Sequence, residues 1–161
     1  MSLLILGLGN DLLGDDGIGL LAAQALEHSG GGSVTVTGSA LSGLYLLDLI
    51  EGYDDLIVVD SVLGDHPGRV RRLSLEAFGP GVAPSAHYAG LADALAGARH
   101  AGMRVPSRVV VVGVEIGEGQ TLGSAVSPQV LRGLPEVVRH VRRIARSWGH
   151  VLAGSVVAEV G

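Results

Sequence analysis

Continuous apolar runs recur along this chain, separated by segments with helical spacing. Three runs predict strands buried on both faces: Leu3–Leu8, Leu56–Asp60 and Val109–Val114. Ser33 to Thr37 predicts a further short strand. From Arg69 to Leu75 polar and apolar residues alternate, which indicates a half-exposed strand near a sheet edge.

Between these runs, apolar residues return every three or four positions, as on one face of a helix. The predicted helices are Ile18–Leu26, a segment with Leu44, Leu47 and Leu49, a segment that opens at His87, and a final helix with its apolar stripe between Leu131 and Trp148. Strand and helix alternate without an internal repeat or a long linker. The pattern therefore predicts a single α/β domain over residues 1–161, a three-layer open, mostly parallel sheet of about five strands with helices on both faces.

Composition narrows the chemistry that this domain can perform. The absence of Cys excludes disulfides, thiolate nucleophiles and Cys-ligated zinc, and all 11 basic residues are Arg, which excludes lysine Schiff bases. A net charge of -5 argues against nucleic acid or an anionic membrane as partner. The N-terminus lacks the basic region of a signal peptide, and no apolar run approaches the roughly 18 residues of a membrane span. We therefore expect a cytoplasmic protein.

Three polar residues are expected at the sheet edge where the parallel strands end, which is where open α/β sheets bind ligands. Asp16 follows the glycine-rich turn after the first strand, Asp60 ends the third strand, and His87 lies where a loop enters a helix. Each has an ordinary alternative. Asp15 or Asp16 could cap a helix, Asp60 could organise a turn, and His87 could be a capping or surface residue. The remaining histidines lack such placement, and we expect them on the surface: His28, His66, His100, His140 and His150.

Together, two carboxylates and an imidazole suit a borderline divalent cation such as nickel or zinc. Three protein ligands would leave coordination positions open for water or substrate, as in reactive metal sites. A dinucleotide site is disfavoured because the fingerprint that begins Gly7-Leu8-Gly9 has Leu12 in place of its third glycine. The residues alone thus indicate a metal-assisted hydrolase or a metal-binding module.

The segment Gly7-Leu8-Gly9-Asn10-Asp11-Leu12-Leu13-Gly14-Asp15-Asp16-Gly17-Ile18-Gly19 resembles the opening motif of the hydrogenase maturation endopeptidases. These enzymes trim the C-terminal tail of nickel–iron hydrogenase large subunits. The resemblance extends over roughly residues 3 to 145, through the following segments: Gly43–Leu47, Leu56–Asp60, Ser85–Leu95, Val112–Glu115 and Leu122–Pro128.

This resemblance implies that Asp16, Asp60 and His87 are the catalytic and metal-contacting residues. It also implies a partner, the large-subunit precursor, which contributes the nickel; we expect the enzyme itself to be a monomer. One departure lies at Gly38-Ser39-Ala40-Leu41-Ser42, where many members carry an acidic residue. The alternative is a non-catalytic nickel-recognition or chaperone module on the same fold.

Overall fold

The computed structural model describes residues 1–75, 87, 88 and 90–154. Within them, five strands form one sheet in the order β2-β1-β3-β5-β4. The strands are β1 Leu3–Leu8, β2 Val34–Ser39, β3 Asp55–Leu63, β4 Val70–Leu73 and β5 Arg108–Ile116. The ladders β1–β2, β1–β3 and β3–β5 are parallel, and β4 pairs with β5 in the antiparallel sense. The mostly parallel sheet and the half-exposed edge strand predicted from the sequence are confirmed.

Helices cover both faces of this sheet. They are α1 Ile18–Leu26, α2 Leu47–Ile50, α3 Leu91–His100, α4 Pro128–Leu131 and α5 Leu134–Ser147. Alternate residues of the central strands pack into two separate apolar clusters, because successive strand side chains point to opposite faces. One cluster joins the sheet to α1 and α5, and the other joins it to α2 and α3. Within the described ranges, no helix combines the length and the apolarity that a bilayer crossing requires.

Several element boundaries differ from the sequence prediction. The last helix is two helices, because the chain turns at Gly133 between α4 and α5, and Leu131 is partly exposed rather than part of the buried stripe. Leu44 lies in a short 3-10 turn, Gly43–Leu46, and is exposed as well. The strand predicted from Ser33 to Thr37 runs instead from Val34 to Ser39.

The expectation that His150 is a surface residue is wrong. His150 is only 5% exposed, and its Nε2 lies 2.6 Å from Oδ2 of Asp55, which is 1% exposed. Arg108 donates to both oxygens of the same carboxylate from Nε and Nη2, each at 2.6 Å, and its guanidinium lies 5.1 Å from the centre of the Trp148 ring. Burial alone would raise the pKa of Asp55, but the bonds from Arg108 and His150 outweigh it and lower the pKa. This cluster fastens the segment after α5 to the start of β3.

We predict that His150→Ala lowers the free energy of unfolding by about 2 to 3 kcal/mol, since a buried carboxylate loses a hydrogen-bond partner and a cavity forms. Urea denaturation at neutral pH measures the change. His140→Ala is the matched control: His140 lies on α5 near Glu136, partly exposed, and should cost no more than about 0.5 kcal/mol. Equal losses in both variants would contradict a structural role for His150.

Candidate functional site

The candidate site lies at the point where the chain reverses its direction of travel across the sheet. From β1 the chain adds β2 on one side and β3 on the other, so the loops after β1 and β3 diverge at the carboxyl edge. Such a switch point leaves a crevice in which open α/β sheets bind their ligands. Asp16 comes from the connection after β1, and Asp60 comes from β3.

Glycines bring Asp16 down onto this edge. A Cβ on Gly19, in the first turn of α1, would fall within 3.0 Å of the carbonyl oxygens of Leu8 and Val59. A Cβ on Gly7 would collide in the same way with the Gly19 carbonyl, and one on Gly9 with that of Asp16. Because real Cβ atoms essentially never come this close, only glycine lets α1 begin directly against β1 and β3. The motif glycines therefore serve backbone packing, which accounts for their spacing without a dinucleotide.

The structure brings the three sequence-predicted residues together. Each of Asp16, Asp60 and His87 offers one ligand atom, and these atoms all lie within 4.8 Å of one another. His87 Nε2 is 2.9 Å from Asp16 Oδ2. Asp60 is fully buried, whereas the side chains of Asp16 and His87 remain 16% and 12% exposed. The cluster can therefore meet a ligand from outside while its inner carboxylate stays shielded from water.

Hydrogen bonds and charge shift the pKa values of this pair in opposite directions. Burial would raise the pKa of Asp16, but hydrogen bonds with His87 and Ser61 outweigh it, so the pKa lies below its usual range. The hydrogen bond to Asp16 raises the pKa of His87 against the effect of burial, and the charge of Asp60 adds to the rise. At neutral pH the Asp16 carboxylate is thus ionised, and the His87 ring is more readily protonated than an ordinary histidine.

Three local expectations from the sequence need correction. Asp60 does not end its strand, because β3 continues to Leu63; what ends there is the pairing with β1, whose last paired residues are Gly7 and Val59. His87 does not open a helix, since α3 begins at Leu91.

Asp16 is not a helix cap either, because α1 begins after Gly17 without a side-chain cap. Asp15 instead accepts a hydrogen bond from the Ser127 backbone N–H at 2.6 Å. Ser85, Ala86 and Ala89 of the predicted helix opening lie outside the described residues.

Ser61, which the sequence pattern did not single out, connects the two carboxylates. Its hydroxyl donates to Asp16 Oδ1 at 2.6 Å, and its backbone N–H donates to Asp60 Oδ1 at 2.8 Å. The Asn10 backbone N–H donates to the other oxygen of Asp16 at 3.2 Å. A hydroxyl directly after the carboxylate that ends an apolar run is the signal in the sequence that would have indicated Ser61. These bonds orient both carboxylates toward the same point.

Residues 21–144 match the model of the HycI family, described as hydrogenase maturation protease. The chain belongs to the hydrogenase maturation protease family. It is accordingly an endopeptidase, and the catalytic candidates above lie in a protease fold. The opening motif that carries Asp16 precedes the matched range, but the relatives below extend across most of the chain.

The family relatives include the hydrogenase 2 maturation protease of Escherichia coli, 32% identical over 84% of this chain and 92% of that protein. The hydrogenase expression/formation protein HupD of Rhodobacter capsulatus is 30% identical over 96% of this chain and 77% of its own. Among solved structures, the hydrogenase maturating endopeptidase HybD from E. coli matches with a TM-score of 0.78 at 29% identity, covering 95% of this chain and 98% of that one. The three-layer fold is therefore that of the family.

Gly38, which opens the segment where the resemblance leads to the expectation of an acidic residue, lies on the edge strand β2 opposite Gly7. Its backbone is extended, and a Cβ there would meet the tip of Leu20 at 3.2 Å, which a small shift of that flexible side chain relieves. The backbone therefore tolerates a Cβ at this position, and a glycine here is not a requirement of the fold.

We predict that NMR titration of the metal-free protein gives His87 a pKa above the ordinary value of about 6.5. Asp16→Asn should lower it, because the ring loses both a hydrogen-bond partner and a neighbouring negative charge. His87 and Asp16 stabilise the fold as an ion pair while the ring is protonated and the carboxylate ionised, so this contribution is lost as pH rises through the raised pKa of His87 and as pH falls through the lowered pKa of Asp16. His66, which is exposed, is the internal reference. A pKa of His87 that does not change in Asp16→Asn would contradict the pairing.

Proposed function

We propose that this endopeptidase removes the C-terminal extension of a nickel–iron hydrogenase large-subunit precursor after nickel insertion, as a cytoplasmic monomer. In this proposal Asp16, Asp60 and His87 contact the nickel that the precursor carries. The observation that supports it most directly is the convergence of two carboxylate oxygens and one imidazole nitrogen within 4.8 Å of one another. Such a donor set suits a borderline divalent cation.

The chemistry of the donors favours a metal that arrives with the substrate over a resident one. Three protein ligands leave a coordination shell incomplete, and the chain has no Cys to supply a strongly binding thiolate. The atoms His87 Nε2 and Asp16 Oδ2 now share a hydrogen bond, so a metal ion must displace the proton between them. A site of this kind recognises a metal that the substrate presents more readily than it retains a metal of its own.

Two routes to peptide hydrolysis are compatible with this arrangement. The nickel could polarise the scissile carbonyl or activate a water, or it could serve for recognition while a carboxylate acts as general base. Both routes require an ionised Asp16, and its lowered pKa meets that requirement at neutral pH. Both also require the open coordination positions that three ligands leave.

We predict that Asp16→Asn, Asp60→Asn and His87→Ala each reduce cleavage of a nickel-loaded precursor by at least about a hundredfold, since residues that act on one ion behave as a unit. For the same reason the Asp16→Asn/Asp60→Asn double variant should be little worse than the worse single variant. The mass of the large subunit before and after incubation measures cleavage. Asp93→Asn, in the first turn of α3, is the matched control and should cleave at close to the wild-type rate.

Thermal unfolding of each variant separates a catalytic loss from a folding defect. Wild-type cleavage rates in all three single variants would refute the site assignment. A wild-type enzyme that binds the nickel-loaded precursor and never cuts it would favour the recognition module instead, the function to which the missing acid at Gly38 points.

We further predict that a nickel-free precursor is not cut, and that the isolated enzyme binds Ni²⁺ weakly, because the substrate must complete the coordination shell. Isothermal titration of the free enzyme with Ni²⁺ and mass analysis of both precursor forms test this pair of statements. Stoichiometric nickel that survives extensive dialysis would instead indicate an autonomous metalloenzyme.

A further inference from the structure

Large apolar side chains stand exposed on the loops around the candidate site. We use the term apolar rim for five of them, each between 45% and 73% exposed: Leu12, Leu41, Leu44, Tyr45 and Leu122. They follow the carboxyl ends of β1, β2 and β5, the edge where Asp16 and His87 lie. Single exposed apolar residues are ordinary on a soluble protein, but a group that surrounds one site marks an interaction surface.

Two members of the rim lie on the Asp16 side of the site. Leu12 belongs to the loop that carries Asp16, and its carbonyl accepts a hydrogen bond from the Gly123 N–H at 2.7 Å. Leu122 is therefore held beside Leu12, although the two are far apart in the sequence. The Asp15 N–H donates to Gln120 Oε1 at 2.9 Å, which ties the same two loops together a second time.

The other three members lie on the His87 side. Gly43, between Leu41 and Leu44, donates its N–H to the His87 carbonyl oxygen at 3.0 Å. The 3-10 turn that presents Leu44 and Tyr45 is thus fixed to the residue that completes the site. The rim consequently has two parts, one on each side of the Asp16–Asp60–His87 cluster, and backbone hydrogen bonds hold both parts in place.

Charge around the rim limits what can cover it. The chain has no Arg or Lys from residue 1 to 68 or from 109 to 131, and these two stretches supply the whole rim. The exposed charged residues within four sequence positions of a rim residue are acidic: Asp11, Asp48 and Glu118. Two copies of this surface facing each other would bring like charges together, whereas an apolar patch fringed by basic residues would be complementary.

We propose that the apolar rim is the surface on which the folded body of the large-subunit precursor docks, through an apolar patch fringed by basic residues. This inference rests on the proposed function and deepens it. Because the rim lies on both sides of the site, its partner must span the site, as a folded protein does. The rim supplies affinity and orientation, and the central cluster supplies the reaction.

Two double variants test whether the apolar rim docks the precursor: Leu44→Ser/Tyr45→Ser and Leu12→Ser/Leu122→Ser. Each is compared with the full-length wild-type enzyme. The probe is the nickel-loaded large-subunit precursor encoded by the same genome. Each double variant should raise Kd and KM by about tenfold or more, with kcat within about twofold, because the side chains removed contribute to docking and not to the reaction. Val151→Ser, which removes an 85% exposed apolar residue after α5, is the matched control and should change neither constant.

Asp16→Asn separates this inference from the proposed function. It should cut nothing and retain most of the wild-type affinity for the precursor, because it loses one contact to the nickel and keeps the whole rim, and it should lose the remaining affinity when combined with either rim double variant. If wild type and both rim variants cleave with the same KM and Kd, the rim inference is wrong and the proposed function survives. If wild type binds through the rim but never cuts, the proposed function fails and the rim inference stands.

Absence of any binding to the precursor overturns both. A wild-type dimer in sedimentation that the rim variants dissociate would assign the surface to a second copy and overturn the inference.

Discussion

The geometry of the site depends on one close backbone contact, between the first turn of α1 and the ends of β1 and β3. Gly19 lies against the carbonyl oxygens of Leu8 and Val59, and Gly7 against the carbonyl of Gly19. Any side chain at these positions would push the helix away from the sheet. Asp16 would then move away from the strand that carries Asp60. The contact thus links the packing of the domain to the distance between the two carboxylates of the candidate site.

Strand β3 carries a buried aspartate at its start and another near its end, and their partners give them different roles. Asp55 is neutralised by Arg108, a permanent cation, and is hydrogen-bonded to the buried His150. Such a fully hydrogen-bonded pair contributes to specifying where the segment after α5 lies. At the other end, the imidazole of His87 pairs with Asp16, and its ligand atom converges with those of two carboxylates. Among the described residues, this end of the strand is where three metal-ligating side chains come together.

Different parts of the surface also differ in their charge and exposed apolar area. The carboxyl edge of the sheet combines acidic residues with exposed apolar side chains, while the Arg residues of α5 lie on another element, next to a well-packed apolar stripe. An endopeptidase that acts on a folded precursor needs both a reacting centre and an area that orients its substrate. Membership of the hydrogenase maturation protease family gives this asymmetry a function, since the family's substrate is itself a protein.

The pattern of apolar runs predicted the layered fold, and the motifs singled out Asp16, Asp60 and His87, whose ligand atoms the fold brings together. Buried parallel strands must be apolar on both faces, so runs such as Leu3–Leu8 are visible without a structure. Asp16 was identifiable because its motif is long and dense in glycine. Local pattern alone did not reveal that His150 is buried, that Ser61 bridges two carboxylates, or that Leu44 is exposed.

Those three features depend on residues distant in the sequence. His150 is buried because Asp55, 95 positions earlier, needs a hydrogen-bond partner, and Ser61 reaches Asp16 across 45 positions. Leu44 has the apolar character of a core residue, yet its turn is held at the sheet edge by a hydrogen bond to His87. Periodicity records which faces of an element are apolar, whereas contacts between elements are set only when the chain folds and every buried polar group must find a partner.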